Sequence, residues 1–506
     1  MSSEPLVIAV DSSTTSTKAI VVDADGRVLA QGKCDIEMST PGIDKYEQDP
    51  RAWWSSTNTA VGQAVGALDA SERARVAAMS CTIQRQSFAL VDADGEPVRP
   101  GILWLDGRAP AQVRRLGTEE LHAKTGFQPD VTPSIYKIAW LNDHEPDNVA
   151  KTAKVAGVHA YLAHAMTGRW VDSQAAADSL GLYDMARLDF DDDVLAMVGL
   201  RRDQLPELVE PGASLGAIDP TILRAWGLEQ SIELIASCGD GQAAGLGCGA
   251  IGPDEAYLNM GTALVAGVHS PEYRYADVYR TDAAGLPDQY VLEIVQNSGA
   301  YLAGWFRSEL GRPELKGAPD PDLDAAAQAV APGCGGLVTL PYFNAVQSPY
   351  WNPIARGAIV GLAGVHGRPE LYRSILEALS LEMARNLRGL QDDTKTPLTS
   401  VRVMGGGQRS PLWRQIMTDC IGVPLTACEQ DEISAMGAGV LAMASTGVGS
   451  IEECAKRMAK LGDVSEPNAD AVELYAELAE VQGQVYSGLE QIFEAQHAFA
   501  EKHPLG

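Results

Sequence analysis

Apolar positions near the start of the chain come in short runs closed by turn signals. Leu-Val-Ile-Ala-Val after Pro5 ends at Asp11, six hydroxyl residues follow from Ser12 to Thr17, and a β-branched run, Ala19-Ile-Val-Val-Asp23, comes after Lys18. This pattern predicts a strand, a tight hydroxyl-rich turn and a second strand. Ala24-Asp25-Gly26 reads as a turn and 27–30 as a third strand. About half a chain later the pattern returns as Ala256-Tyr-Leu-Asn-Met260, Gly261-Thr262 and Ala263-Leu-Val-Ala-Gly-Val268. Two like units, each opening on a hairpin around a hydroxyl-bearing turn, suggest an internal duplication. Coincidence is the plain alternative, because strand–turn–strand is common.

Helical periodicity is expected over about 51–68, 109–116 and 147–166, with short apolar strands at Ala77–Ile83 and Ile232–Ala236. Beyond residue 300 come a strand at Gly336–Leu340, a long helix over 368–390, a strand at Ser400–Met404 and a helix over 411–420. Alternating strands and helices argue for an α/β fold. A final helix over 468–500 carries Leu474, Tyr475, Leu478, Val481, Val485, Tyr486, Leu489, Ile492 and Phe493, a stripe expected to pack along one face.

The 506 residues suggest more than one domain. Hydrophobic residues make up 45% and charged residues 21%, which excludes wholesale disorder. Lys and Arg number 39 against 67 Asp and Glu, a net charge of −28. That charge repels phosphate-rich surfaces, so neither nucleic acid nor an anionic membrane is expected as partner. No apolar stretch is long enough to span a bilayer. The opening MSSEPLVIAVDSS has no basic segment and no cleavage site, so no secretory signal is expected and a cytoplasmic location follows. The eight cysteines are scattered without a CxxC pair, which suggests reduced thiols rather than a zinc cage or a disulfide framework.

Asp11 ends a buried strand beside Ser13, Thr14, Thr15 and Lys18. Such a turn offers backbone N–H groups and hydroxyls to phosphate oxygens, a carboxylate for Mg²⁺ and a lysine as a point charge. A solvated turn is the plain alternative. Gly261-Thr262 offers the same device, since a glycine lets backbone approach an anion closely. Gly405-Gly406-Gly407-Gln408 sits between a strand and a helix, where a glycine nest can hold a nucleotide. It matches neither the P-loop nor the dinucleotide fingerprint, and a tight crossover turn explains it equally well. Asp240 stands in the Gly/Ala-rich segment Ser237–Gly245, where a carboxylate can take a proton from a sugar hydroxyl; otherwise it caps a helix. Gln84-Arg85-Gln86 and Trp104-Leu-Asp106-Gly-Arg108 supply hydrogen-bonding groups and a stacking face suited to a polyhydroxylated ligand, or ordinary loop polarity.

Together these segments resemble the FGGY carbohydrate kinases, from Val7 to about Ala444. Gly357-Ala-Ile-Val-Gly361-Leu362, followed after seven residues by Glu370-Leu371-Tyr-Arg-Ser374-Ile-Leu-Glu377, is similar to the family's C-terminal signature. Ser134-Ile-Tyr-Lys137-Ile-Ala-Trp140-Leu-Asn-Asp143 resembles the other signature, with Thr132 departing from the usual residue type. Gly405–Trp413 is similar to the family's adenosine loop, and Gly239-Asp240 looks like its catalytic aspartate.

The resemblance implies two actin-like, RNase H-like α/β domains flanking a catalytic cleft. The expected division is 1–250 for sugar, 251–465 for ATP, and 466–506 as a helix packed on the second domain. It implies Asp240 as the catalytic base and Asp11 as the Mg²⁺ ligand. Arg85, Gln86, Trp104, Asp106, Asp240 and Gln242 are expected at the substrate. Ser13, Thr14, Thr15, Lys18, Gly261, Thr262, Gly405, Gly406, Gly407, Gln408 and Ser410 are expected at ATP. Trp104–Arg108 and Pro349–Gly357 resemble the xylulose-kinase branch, whereas Gln84-Arg85-Gln86 partly matches glycerol kinases. Gly241 stands where many relatives carry Asn or Gln. The expected acceptor is a small linear sugar or polyol, a ketopentose such as xylulose ahead of a tetritol, pentitol or glycerol. A homodimer is carried over by analogy alone. Two rivals on the same fold are an actin/Hsp70-type ATPase and a non-catalytic sugar sensor.

Overall fold

Two sheets of like connectivity organise the computed structural model, which describes residues 4–503. In the first, β1 (Leu6–Ser12), β2 (Ser16–Val22) and β3 (Val28–Asp35) form an antiparallel meander, and β4 (Val76–Ile83) lies parallel to β1 on its other side. β5 (Ser214–Ala217) and β6 (Glu233–Ile235) complete it, β6 parallel to β4 and β5 antiparallel at the edge. In the second, β7 (Glu255–Met260), β8 (Leu264–Ser270), β9 (Arg280–Ala283) and β10 (Tyr290–Gln296) are joined antiparallel, with β10 between β8 and β9. β11 (Ser400–Met404) runs parallel to β7, β12 (Leu425–Cys428) parallel to β11, and β13 (Leu461–Ser465) antiparallel at the edge. The orders are β5-β6-β4-β1-β2-β3 and β13-β12-β11-β7-β8-β10-β9. In spatial order they correspond, with β9 as an addition, and five strands (β1-β2-β3-β4-β6 and β7-β8-β10-β11-β12) also keep the same sequence order. The antiparallel edge strand, by contrast, precedes its neighbour in the first unit (β5 before β6) and follows it in the second (β13 after β12).

β1 is buried on both faces from Leu6 to Val10, as a central strand covered by helices must be. Leu6, Ile8 and Val10 join one core with Trp53, Ala60 and Val61 of helix α1 (Pro50–Gly66). Val7 and Ala9 face the opposite core. Five further helices matter for the site: α2 (Asp240–Gly247), α3 (Arg368–Thr394), α4 (Pro411–Ile421), α5 (Ile433–Ser445) and α6 (Ala469–Lys502). α5 belongs in sequence to the second unit but packs on β1 and β4 of the first sheet. It crosses α2 with backbone against backbone: a Cβ on Gly437 would lie 1.9 Å from the carbonyl oxygen of Ala243, and one on Gly247 2.0 Å from that of Ile433.

Three local expectations change. The segment 147–166 is not one helix. Helix Pro146–Lys151 gives way to strand Lys154–Gly157, which pairs antiparallel with Phe88–Val91 in a smaller sheet, before helix Val158–Thr167. Tertiary pairing of Val155 overrides the helical periodicity. The third strand runs to Asp35 rather than 30, because β2 pairs with it along its whole length. On α6 the contact face is Tyr475, Ala479, Gln482, Tyr486 and Phe493, while Leu474, Val481 and Ile492 are exposed. Apolar residues there spread wider than the 3.6-residue period allows one face to bury. No helix among the described residues is long and apolar enough to cross a membrane.

Candidate active site

The C-terminal ends of the parallel strands of both sheets open onto one groove, the usual place for ligands in such sheets. Asp11 lies near the end of β1, and Asp240 is the first residue of α2, just after β6. Gly239 precedes it with ordinary φ. A Cβ there would meet the Arg85 side chain at 2.4 Å, so position 239 must be bare. Asp240 is 42% exposed and accepts from its neighbour's N–H at Gly241 (2.9 Å) and from Arg85 Nε (3.2 Å), both through Oδ1.

Asp11 is half-buried, and its Oδ1, shielded from solvent, has no hydrogen-bond partner. Burial, with repulsion from Asp240 and despite Lys18, pushes its pKa up to about 7. A raised carboxyl pKa means the folded state holds a proton the unfolded chain releases above about pH 4. The stability that proton confers is complete in acid and is lost as pH rises through about 7. At about 1.4 kcal/mol per pH unit, the charged Asp11 costs on the order of a few kcal/mol above pH 7. Asp11→Asn is therefore expected to be more stable than the parent at pH 8 in metal-free buffer, with the advantage shrinking toward pH 5. Denaturant melts across that range check it; parallel curves for the two proteins contradict it.

The predicted acceptor residues divide. Arg85, Gln86, Trp104 and Asp240 line a cavity of about 200 Å³ between the lobes. Asp106 and Gln242 do not. Asp106 is fully buried, and its carboxylate is spent on Arg108 (Nε and Nη2, 2.7 Å each), the Arg108 N–H and the Tyr46 N–H (2.7 Å). Those bonds lower its pKa against the opposing effect of burial. Gln242 is fully buried and donates to the carbonyls of Ala175 (3.2 Å) and Ala283 (3.3 Å). Both residues brace the site and neither faces it.

Trp104 Nε1 donates to Thr14 Oγ1 (2.9 Å), joining the acceptor wall to the first hydroxyl turn. Ser13 Oγ closes that turn on the Ser16 carbonyl (2.7 Å), and Thr15 is exposed. Lys18, expected at a phosphate, instead bonds both oxygens of Glu432 at 2.8 Å, just ahead of α5. Opposite Asp11 on β2, it finds an acid of the other unit within reach.

On the other side of the groove, Gly261-Thr262 at the end of β7 and Gly405-Gly406-Gly407 at the end of β11 lie side by side, because these strands are parallel neighbours. Gly405 has φ +84°, and a Cβ on it would lie 2.4 Å from Asn259 Oδ1. A Cβ on Gly407 would meet the Trp413 ring at 2.6 Å, whereas one on Gly406 would meet nothing within 4 Å. Gly405 and Gly407 thus let the turn fold, and Gly406 presents bare backbone to the groove. Gln408 Nε2 donates to the Cys428 carbonyl (3.0 Å), and Ser410 Oγ accepts the Trp413 N–H (3.3 Å) as the N-cap of α4. Their side chains serve the loop.

Thr132, Arg280, Asn297 and Gln347 also line the cavity, the last three from the second unit, and no local sequence pattern marks any of them as an acceptor residue. Two buried polar atoms at this cavity lack partners, Gln86 Nε2 and Gln347 Oε1. Gln86 also holds φ +59°, a left-handed conformation that costs a non-glycine residue free energy. Lys137 is fully buried and donates to the carbonyls of Leu103 (2.9 Å), Trp104 (3.0 Å) and Thr132 (2.9 Å). Burial pushes its pKa down to about 7. It fastens two walls of the cavity from behind, and its presence in the signature segment was the only sequence trace of that role.

This fold and this groove are those of a carbohydrate kinase. The profile described as FGGY family of carbohydrate kinases, N-terminal domain, matches residues 6–247, and that of the C-terminal domain matches 256–446. The chain belongs to the FGGY family and is a sugar kinase, a phosphotransferase with the actin-like fold of that family. Similar curated proteins include the xylulose kinase of Escherichia coli (strain K12), 30% identical over 444 residues, covering 86% of this chain and 89% of that one. The gluconokinase of Bacillus subtilis (strain 168) is 25% identical over 452 residues, covering 87% and 88%. Among solved structures, a xylulose kinase from Rhodospirillum rubrum aligns with a TM-score of 0.89 at 26% identity, covering 97% of this chain and 100% of that one.

Proposed function

We propose that the protein transfers the terminal phosphoryl group of ATP to a terminal hydroxyl of a small, uncharged sugar or polyol, a ketopentose such as D-xylulose ahead of a tetritol, pentitol or glycerol. The observation that carries this reading is Asp240, a partly exposed carboxylate in a cavity shared by both units, with Oδ2 free of any bond among the described residues. In the proposed division 1–250 carries most of the acceptor site, 251–465 the nucleotide site, and α6 rests on the second unit.

Asp240 takes the proton of the acceptor hydroxyl as its oxygen attacks. Gln86 and Gln347 offer their unpartnered donor and acceptor to the other hydroxyls, and Trp104 offers its face. The backbone N–H groups of Thr14, Thr15, Gly261 and Thr262 hold phosphate oxygens. Mg²⁺ fits Asp11: the ion takes one or two carboxylates and keeps waters and phosphates for the rest, and Asp11 keeps one buried oxygen unpartnered. Asp11 is the carboxylate proposed to hold it; among the described residues no cluster of three or more metal-ligating side chains exists. When bound, the ion neutralises charge on the phosphates. Enclosing the acceptor between the units keeps water from competing for the phosphoryl group.

Charge argues for an uncharged acceptor. Arg85 and Arg280 line the cavity, but their guanidiniums are already shared among Asp240, Asp282 and Glu293. A sugar acid would have to bury a carboxylate beside these acids without a free cation, at substantial cost. A coupled ADP-release screen is expected to respond to xylulose, ribulose, tetritols, pentitols or glycerol and to leave gluconate at background. A fastest rate with gluconate, or release that ignores every acceptor as an actin/Hsp70-type ATPase would show, overturns the reading.

The nucleotide assignment has its own test. Gly406→Val fits the folded chain without a clash at Cβ, yet puts a side chain where the base or ribose must pass. The KM for ATP is expected to rise at least tenfold and that for the acceptor less than twofold. Equal changes in both contradict the assignment.

A further inference from the structure

Arg85 is built into a cluster that its sequence position does not reveal. It leaves the end of β4 in the first unit, and its guanidinium reaches across to the second. Nη1 donates to Asp282 Oδ2 (3.0 Å), and Nη2 to both oxygens of Glu293 (2.9 and 3.0 Å). Nε alone points back, to Asp240 Oδ1 (3.2 Å). Asp282 and Glu293 are fully buried on β9 and β10. Glu293 is fixed from its far side by Arg280 Nε (2.8 Å). β9 is fixed in turn by Asp178, whose carboxylate accepts the Ala283 N–H (2.7 Å) across the same boundary.

The space for this cluster is made by glycine. A Cβ on Gly241 would lie 2.4 Å from Glu293 Oε2 and 2.8 Å from Arg85 Nη2. A side chain at 241 would force Glu293 and Arg85 to shift, so the ion network behind the base occupies the space that a hydrogen-bonding residue there would take. The geometry leaves Arg85 little freedom to follow the acceptor, although it lines the cavity. A guanidinium held by two fully buried acids cannot swing away without stripping Asp282 of its 3.0 Å partner and leaving Arg280 as the one remaining cation for both charges, which is unfavourable. What remains for its Nε is Asp240.

We propose that Glu293 and Asp282 are positioning residues for the base: from the second unit they hold Arg85, which fixes Asp240 Oδ1 and turns Oδ2 toward the acceptor hydroxyl. The base is then aligned only while the two units are docked at β9 and β10. This rests on the reading of Asp240 as base, and the two can fail separately.

Glu293→Gln keeps the shape and removes the charge. It is expected to lower kcat at least thirtyfold while the KM values for ATP and acceptor change less than threefold. The decisive readout is a double-mutant cycle, because residues that act as a unit are non-additive. On an Asp240→Asn background, followed by long single-turnover assays, Glu293→Gln is expected to slow the residual transfer by less than threefold. An equal loss on both backgrounds, or a parent-like kcat in the single variant, overturns the proposal. Should Glu293→Gln fail to fold, Asp282→Asn enters the same cycle with the same criteria. If the parent itself releases no ADP with any uncharged acceptor, the functional reading falls. A crystal structure of Glu293→Gln then decides the clamp: Arg85 Nε displaced from Asp240 supports it, and an unmoved Arg85 refutes it.

Discussion

Asp240→Asn is expected to fold like the parent, to bind acceptor within a few-fold of the parent's affinity, and to slow acceptor-dependent ADP release by roughly 10²–10⁴-fold, the contribution of a positioned general base. Folding should survive because the amide oxygen can still accept from the Gly241 N–H and from Arg85 Nε, the two bonds that hold the carboxylate now. What the amide cannot do is accept the hydroxyl's proton at physiological pH. Thermal melts and acceptor-dependent ADP release measured together separate the two effects. Near-parent turnover in a folded variant removes Asp240 as the base.

Gly437→Val is expected to be among the most damaging single changes in the chain. Its Cβ would fall 1.9 Å from the Ala243 carbonyl oxygen and 2.6 Å from the carbonyl carbon. Backbone is the obstacle, so no rotamer change relieves it, and α5 must move away from α2. Overpacking that side chains can absorb costs about 1–3 kcal/mol; here the cost should exceed that. α2 begins at Asp240, so separation of the two helices also displaces the base from Arg85. Two controls make the claim specific. At Gly439 an added Cβ meets only side chains, at 3.3 Å, and at Gly488 it meets nothing within 4 Å. Gly439→Ala should be mild and Gly488→Ala neutral or stabilising in a thermal melt. A Gly437→Val protein melting within two degrees of the parent would show that the helix crossing is not as tight as the structure has it.

What could be read before folding was whatever is local. The hairpin around Ser13–Thr15, its echo at Gly261-Thr262 and the strand before Gly405 follow from residues within a few positions of one another. Asp11 closes a short apolar strand and Asp240 stands in the Gly/Ala-rich segment after another, and acids at such places were legible as candidates. Partnership was not legible. Asp106 and Gln242 have the right chemistry for a sugar, but Arg108 and Tyr46 claim the Asp106 carboxylate, and Ala175 and Ala283 claim the Gln242 amide nitrogen. Lys18 likewise meets Glu432, 414 positions away in sequence. Arg280, Asn297 and Gln347 reach the acceptor cavity from the second unit, and nothing in their immediate neighbours marks them. The helix expected over 147–166 failed for the same reason, since Lys154–Gly157 is a strand only because Phe88–Val91 lies beside it.

The most direct test is a crystal structure with a non-hydrolysable ATP analogue, Mg²⁺ and the best acceptor from the screen. The account predicts a terminal hydroxyl of the acceptor about 3 Å from Asp240 Oδ2, with the γ-phosphate on its far side between the Thr14 and Thr262 turns. An acceptor seated elsewhere in the groove, or a hydroxyl facing the phosphate with Asp240 out of hydrogen-bond reach, would contradict it.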